Sequence, residues 1–320
     1  MEDVKVLYIL AFGRSGSTIL DRSLGRFPLF FSTGELWRFW RRLQQEGSRC
    51  GCGELLVECP VWVAVRERVD AMGFGSIDGD DVFRWQMEAL RLHHLGKWTR
   101  RKTQPAFGSS SADSYGALLA ATYRAIADVT GARVIVDSSK LPTQAAALPL
   151  LPRISPYVVH LVRDPRAVAF SWRRQKAVPD RSSAGTPLFG SVASTARWVG
   201  YNAAAEVVHR RYSPKRWRRL RYEDFMGDPE ATLNGLANEL DRDARLSGVS
   251  QDLIDMEASH TVFGNPNRFD TGKIRLRRDD EWMTGQSKVD RWTSTILASP
   301  LLRRYGYRLN PRKGSIEMKA

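Results

Sequence analysis

The chain has 320 residues, 42% of them hydrophobic and 10% aromatic, which supplies a packed core and excludes a disordered polymer. Lys and Arg number 49 against 35 Asp and Glu, a net charge of +14 that suits an anionic ligand, nucleic acid or an anionic membrane surface without choosing among them. No apolar run approaches ~18 residues, and no secretory leader pattern precedes the first apolar run, so a cytoplasmic protein with at most peripheral membrane contact is expected.

In chain order, Lys5–Leu10 reads as a strand that ends in Gly13-Arg14-Ser15-Gly16-Ser17-Thr18, with a helix following at once over Ile19–Gly25. A Gly/Ser loop between strand and helix aims backbone N–H groups at one spot, and the helix N-terminus adds partial positive charge. Arg14 contributes a permanent charge; Ser15, Ser17 and Thr18 contribute hydroxyls. A phosphate-type anion is the natural occupant, although such a turn can also be a plain connector. The nucleotide P-loop pattern fails, because Ala11 stands where Gly is required and Ser17 where Lys is required.

Phe30–Ser32 reads as a short second strand leading to Gly34-Glu35, and Pro60–Met72 and Asp81–Leu95 as helices. Lys97–Ser114 reads as a mobile basic and Gly/Ser-rich loop, and Tyr115–Val129 as an amphipathic helix. Strands are expected at Arg133–Val136, Tyr157–Val162 and Trp217–Tyr222, with Asp228-Pro229 starting a helix. Short apolar strands alternating with helices imply an α/β fold with a central, mainly parallel sheet flanked by helices in three layers. The polar clusters fall at the strands' carboxyl ends, where such folds bind ligands.

Cys50, Cys52 and Cys59 lie close together. Tetrahedral zinc wants four ligands, and the fourth would have to be a distant His or Asp that the sequence does not name. Reduced structural thiols are therefore expected, with a metal site and a Cys52–Cys59 disulfide as alternatives. His160 reads as a satisfied core residue inside an apolar strand, and His260 as a possible lining residue without a catalytic role.

Arg163-Asp164-Pro165 opens a helix, with Ser171 about two turns along it, roughly 12 Å at 1.5 Å per residue. Arg and Ser at that spacing can share one phosphate, or Arg-Asp-Pro can be a cap with a local ion pair. Together these segments resemble the sulfotransferases that use 3′-phosphoadenosine 5′-phosphosulfate (PAPS). Gly13–Thr18 resembles their 5′-phosphosulfate loop in the Arg-containing form of carbohydrate and protein-tyrosine sulfotransferases. Arg163 to Ser171 resembles their 3′-phosphate motif, and Tyr222-Glu223-Asp224-Phe225 a strand-end motif whose Tyr lies by the adenine. Gly264-Asn265-Pro266-Asn267-Arg268 stands at the place of the loop that covers the nucleotide, and Pro300–Tyr307 resembles the closing segment of bacterial members.

The resemblance implies a P-loop-like sulfotransferase domain over residues 1–310, with a helical insertion at about 38–130 and a tail at 311–320. It implies PAPS as co-substrate, a hydroxyl acceptor (sugar, lipid or small metabolite), and cofactor contacts from Arg14, Ser15, Gly16, Ser17, Thr18, Arg163, Ser171, Tyr222, Asn265 and Arg268. Arg14, Glu35 and Lys140 are the catalytic candidates: Arg14 for the leaving oxygen, Glu35 as base, Lys140 as a cation or alternative base. Burial by Phe31, Leu36 and Trp37 is expected to raise the Glu35 pKa. The chain departs from the cytosolic phenol and steroid enzymes, which carry Lys at Arg14 and a catalytic His at Lys140, so their His mechanism does not transfer. No metal or nucleic-acid partner is expected. The rival readings are an NTP-dependent kinase and a non-catalytic nucleotide or nucleic-acid binder.

Overall fold

A computed structural model describes residues 2–174, 188–246, 249–250 and 252–310; the expected tail at 311–320 lies outside the described residues. Five strands, β1 (Val4–Ala11), β2 (Phe30–Ser32), β3 (Val134–Asp137), β4 (Ile154–Val162) and β5 (Trp217–Arg221), form one sheet in the order β2-β3-β1-β4-β5. All four pairings are parallel. The alternation within β1 explains why the sheet is covered on both faces. Val6, Tyr8 and Leu10 enter one apolar cluster, and Leu7, Ile9 and Ala11 enter the other. β1 has β3 on one side and β4 on the other, and the chain fills the first side before crossing to the second, so the carboxyl end of β1 is the sheet's switch point, where such folds bind ligands.

The expected strands and helices are present with shifted ends. β4 starts at Ile154 rather than Tyr157 and includes Pro156. Proline is tolerated there because β5 joins β4 only from Val158 onward, leaving that stretch paired to β1 alone. The helix expected over Asp81–Leu95 runs from Gly79 to Ala89. It stops because tertiary donors take its last carbonyls: Trp98 Nε1 binds Ala89 O at 2.7 Å and Thr143 Oγ1 binds Leu90 O at 2.7 Å.

Lys97–Ser114 is only partly a loop, which corrects the expectation. Leu95–Arg100 is helical, and the helix Ser111–Thr130 begins under a Ser110 cap that accepts Asp113 N at 3.1 Å. Arg101 pairs with Asp113, and Arg211 Nη1 donates to Thr99 O at 2.6 Å, so both ends of the remaining loop are anchored.

A small antiparallel sheet of β6 (Val249–Ser250), β7 (Leu253–Met256) and β8 (Gly272–Arg275) packs beside the main one. The basic run at 216–221 is divided among partners: Arg218 with Glu239 and Arg219 with Glu206, each at 2.8 Å, and Arg221 with Asp224 at 2.5 Å. It therefore offers less free positive charge than the sequence suggests. Among the described residues no helix is long and apolar enough to cross a membrane.

Candidate active site

The loop after β1 is shaped as an anion cradle. Arg14 and Gly16 both take the left-handed conformation, at φ 70° and 86°. Gly16 caps the helix Ser17–Leu24, whose first N–H groups have no intrahelical acceptor. A Cβ on Gly16 would stand 2.6 Å from the Tyr222 ring, so close approach and positive φ both demand glycine. Arg14 is buried with its guanidinium 5.1 Å over the Trp172 ring. Burial and the neighbouring Arg174 lower its pKa from the ordinary arginine value. Ser15 Oγ is buried with no hydrogen-bond partner among the described residues, and Thr18 Oγ1 accepts Asn265 N at 3.2 Å.

Arg163 leaves β4 directly into this cradle. Its Nη1 donates to Arg14 O at 3.1 Å, and its guanidinium lies 4.5 Å over Tyr222. Its Nη2 meets Asp279 Oδ2 at 3.1 Å, and Arg174 meets the same carboxylate at 3.3 Å. Burial pushes the Asp279 carboxyl up, but Arg163 and Arg174 outweigh it and the net shift is downward. Arg163 Nε remains buried without a partner among the described residues. Ser171 is buried in the helix Pro165–Trp172, the residue before the Trp172 that underlies Arg14. The local ion pair of the Arg-Asp-Pro cap also exists, but it belongs to Arg166, which holds Asp164 at 2.6 Å and leaves Arg163 to the cradle.

At the neighbouring strand ends Glu35 and Lys140 meet. Lys140 Nζ donates to Glu35 Oε1 at 2.7 Å and Arg38 Nε to Oε2 at 3.1 Å, with the Glu35 and Lys140 side chains 13% and 14% exposed. Burial alone would raise the Glu35 carboxyl. Lys140 and Arg38 outweigh it and hold the pKa down at about 2, which reverses the expected direction. Lys140 itself sits at φ 74°, a strained conformation for a residue with a side chain. The turn is braced from below: Asp137 accepts Ser139 N at 2.7 Å and Tyr123 Oη at 2.5 Å. The segment that follows Glu35 is packed rather than hollow: Leu36, Trp37, Trp40, Gln86, Tyr115 and Thr122 surround a gap of only about 10 Å³, the size of one water.

The sequence pattern of the Sulfotransferase family matches residues 64–245, more than half of the chain. The chain belongs to the sulfotransferase family. The matched stretch contains Arg163 and Ser171 and lies downstream of the Arg14 loop and Glu35. Among solved structures, the sulfotransferase domain from the curacin biosynthetic pathway is similar over 97% of this chain and 99% of its own, with a TM-score of 0.51 and 18% identity, a likeness of fold. The sulfotransferase domain of the Synechococcus PCC 7002 olefin synthase aligns over 94% of this chain and 96% of its own, with a TM-score of 0.45 and 18% identity. A Mycobacterium avium sulfotransferase aligns over 98% and 79%, with a TM-score of 0.48 and 13% identity. No curated protein matches the chain in sequence.

In this sulfotransferase two arginines hold the Gly264–Arg268 loop in place. Arg22 donates to Asn267 O and Asp270 O, each at 2.6 Å. Arg268 is 1% exposed and gives Nη1 to Thr261 O and Nη2 to Arg49 O, each at 2.7 Å, so it braces the loop while Asn265 faces Thr18. Tyr222 packs between Gly16 and Arg163, shaping the cradle floor. The closing segment locks the strand-end motif, with Tyr307 Oη donating to Glu223 Oε2 at 2.6 Å.

Four neighbours of the site escaped sequence reasoning: Trp172, Arg174, Tyr201 and Asp279. Tyr201 stacks edgewise on Phe12 at 5.6 Å, and burial with the Glu35 carboxylate raises its hydroxyl pKa. None lies in a recognisable motif; the family spacing from Arg163 to Ser171 was the one local signal near Trp172 and Arg174. His160 is buried in the core as expected but is only half satisfied: Nε2 lies 2.9 Å from Asn202 Oδ1, and Nδ1 is buried with no hydrogen-bond partner among the described residues.

Proposed function

We propose that this sulfotransferase moves the sulfuryl group of PAPS to a hydroxyl of a sugar, lipid or small metabolite by in-line displacement, with residues 1–310 as one catalytic unit. The observation that carries the reading is the meeting of an arginine-walled anion cradle and a buried Glu35–Lys140 pair at the carboxyl ends of adjacent parallel strands. The cradle fits a nucleotide charged at both ends of its ribose, because Ser15 Oγ and Arg163 Nε are buried polar atoms with no protein partner among the described residues. PAPS, when bound, supplies the sulfuryl group and a 5′-phosphate as leaving group.

Arg14 and the loop N–H groups would hold the negative charge that grows on the leaving oxygen. Ser17 and Thr18 would hold the same phosphate, and Arg163 with Ser171 the 3′-phosphate. Tyr222 and Asn265 would border the nucleotide. Arg268 would contribute by holding the Asn265 loop. Glu35 already carries its charge and would accept the acceptor's proton, with Lys140 setting how strongly it does so.

Calorimetry with adenosine 3′,5′-bisphosphate and AMP tests the cradle. One charge-assisted contact is worth roughly 1.5–3 kcal/mol, or about one to two decades in affinity, in favour of the bisphosphate. Equal affinity would remove the two-phosphate reading. Turnover of labelled PAPS across acceptor classes tests the reaction, and magnesium-dependent turnover of ATP instead would revive the kinase reading.

A further inference from the structure

The three cysteines are unbonded thiols, with Cys52 Sγ and Cys59 Sγ 3.9 Å apart, so the disulfide alternative does not hold in this structure. His260, from more than 200 residues away, closes the group: its Nδ1 lies 3.3 Å from Cys59 Sγ and 3.7 Å from Cys50 Sγ. All four ligand atoms fall within 4.8 Å of one another. We propose that Cys50, Cys52, Cys59 and His260 form a structural zinc site that ties the helical insertion to the nucleotide-covering loop.

The distances across three of the ligand pairs match a tetrahedron. Zinc binds thiolate at about 2.3 Å and imidazole at about 2.0–2.1 Å, so its tetrahedral edges are about 3.8 Å between two sulfurs and about 3.6 Å between sulfur and nitrogen. The observed 3.9, 3.7 and 3.3 Å lie on either side of those edges. Three soft thiolates with one imidazole select zinc over magnesium or calcium. Binding involves no redox change: Zn²⁺ replaces the thiol protons, which pass to solvent.

The surrounding contacts hold the ligands in place before any metal arrives. Trp62 Nε1 fixes the His260 carbonyl at 2.8 Å, and Phe31 stacks parallel to the imidazole at 6.4 Å. Cys50 and Cys59 are buried, while Cys52 and His260 are partly exposed, which gives the ion a way in. Gly51 donates its N–H to Thr261 O at 2.9 Å, and any side chain there would collide with the Ser259–Thr261 backbone.

What the site holds together is next to the chemistry. Val262 N bonds Thr33 O at 2.8 Å, Glu35 N bonds Phe263 O at 3.0 Å, and Asn265 N reaches Thr18 in the anion cradle. Zinc at Cys50, Cys52, Cys59 and His260 would therefore fix the strand-like run 260–265 against both Glu35 and the cradle. The assignment stands on the ligand atoms alone and does not depend on PAPS as donor.

Elemental analysis of the full-length chain, purified reduced and without chelator, should find about one zinc per molecule. Cobalt substitution should give the visible bands of a tetrahedral thiolate site. A mercurial that caps the thiols should release the zinc to a colorimetric indicator, and in a separate sample Ellman's reagent should reach the cysteines readily only after a chelator has stripped the metal. His260→Cys should keep the metal and His260→Ala should lose it. Zinc removal should raise hydrogen exchange at residues 259–265 and lower the melting temperature. Wild-type protein that carries no zinc and takes none up after reduction overturns the site, as does one that binds iron or copper in its place. That outcome needs no folded variant. Unchanged exchange at 259–265 on zinc loss overturns the tethering role.

Discussion

Lys140→Met isolates what the Glu35–Lys140 pair does. The ammonium sits 2.7 Å from Glu35 Oε1, and both side chains are largely buried. At an effective dielectric of about 20 and a charge separation of about 4 Å, the attraction is about 4 kcal/mol. That equals about three pKa units. Removing the charge leaves Arg38 as the partner and burial unopposed by Lys140, so the Glu35 carboxyl should climb from about 2 to roughly 5. A group whose folded pKa is depressed stays ionised down to that low value, so wild-type turnover should show no acid limb from Glu35 above about pH 4. Lys140→Met should acquire an acid limb near about pH 5. The assay is kcat against pH with labelled PAPS, beside infrared titration of the carboxylate band in the variant and in Lys140→Met/Glu35→Gln. A flat profile in Lys140→Met and a carboxylate band still ionised at about pH 4 would refute the electrostatic argument. Glu35→Gln on its own should cost about 10²–10⁴-fold in kcat with nucleotide affinity retained.

Arg14→Ala should lower kcat, because the charge it meets grows in the transition state, while Arg163→Ala and Ser171→Ala should chiefly raise the PAPS KM; an Arg14→Ala effect on KM alone sinks the leaving-oxygen role. Asp279→Asn should bind adenosine 3′,5′-bisphosphate about tenfold more tightly by calorimetry, since Arg163 and Arg174 no longer share their charge with a carboxylate; unchanged or weaker affinity counts against the shared site. Gly16→Ala should destabilise the fold by about 1–3 kcal/mol in urea and abolish nucleotide binding, given the positive φ and the Tyr222 ring; wild-type stability would show that the loop can relax. Burial pulls the His160 pKa down to about 4, so the neutral form is favoured on folding and stability should be lost as pH falls from about 6.5 towards 4; His160→Gln should flatten that part of the melting-temperature profile.

The alternation of strand and helix, the Gly13–Thr18 loop and the Arg163 helix start were legible in the sequence because each is a local pattern. A strand ends where its apolar run ends, and an anion loop needs a few adjacent residues with backbone freedom. Their position at strand ends also followed, since parallel α/β sheets bind ligands there. What the structure alone decided depends on partners far along the chain. Glu35 was recognisable as a carboxylate near aromatic residues, but the raised pKa expected from burial is reversed by Lys140, 105 positions away, and by Arg38. Tyr222 read as a nucleotide-side tyrosine, yet its ring meets Gly16, a contact made only when β5 is laid beside β4 and β4 beside β1. The three cysteines lacked a fourth ligand in sequence because His260 is brought to them by the pairing of its segment with Thr33 and Gly34. Composition and periodicity specify which residues are buried and in what local conformation. Electrostatics and metal geometry depend on distances of a few ångströms between segments, and those distances exist only once the sheet has closed.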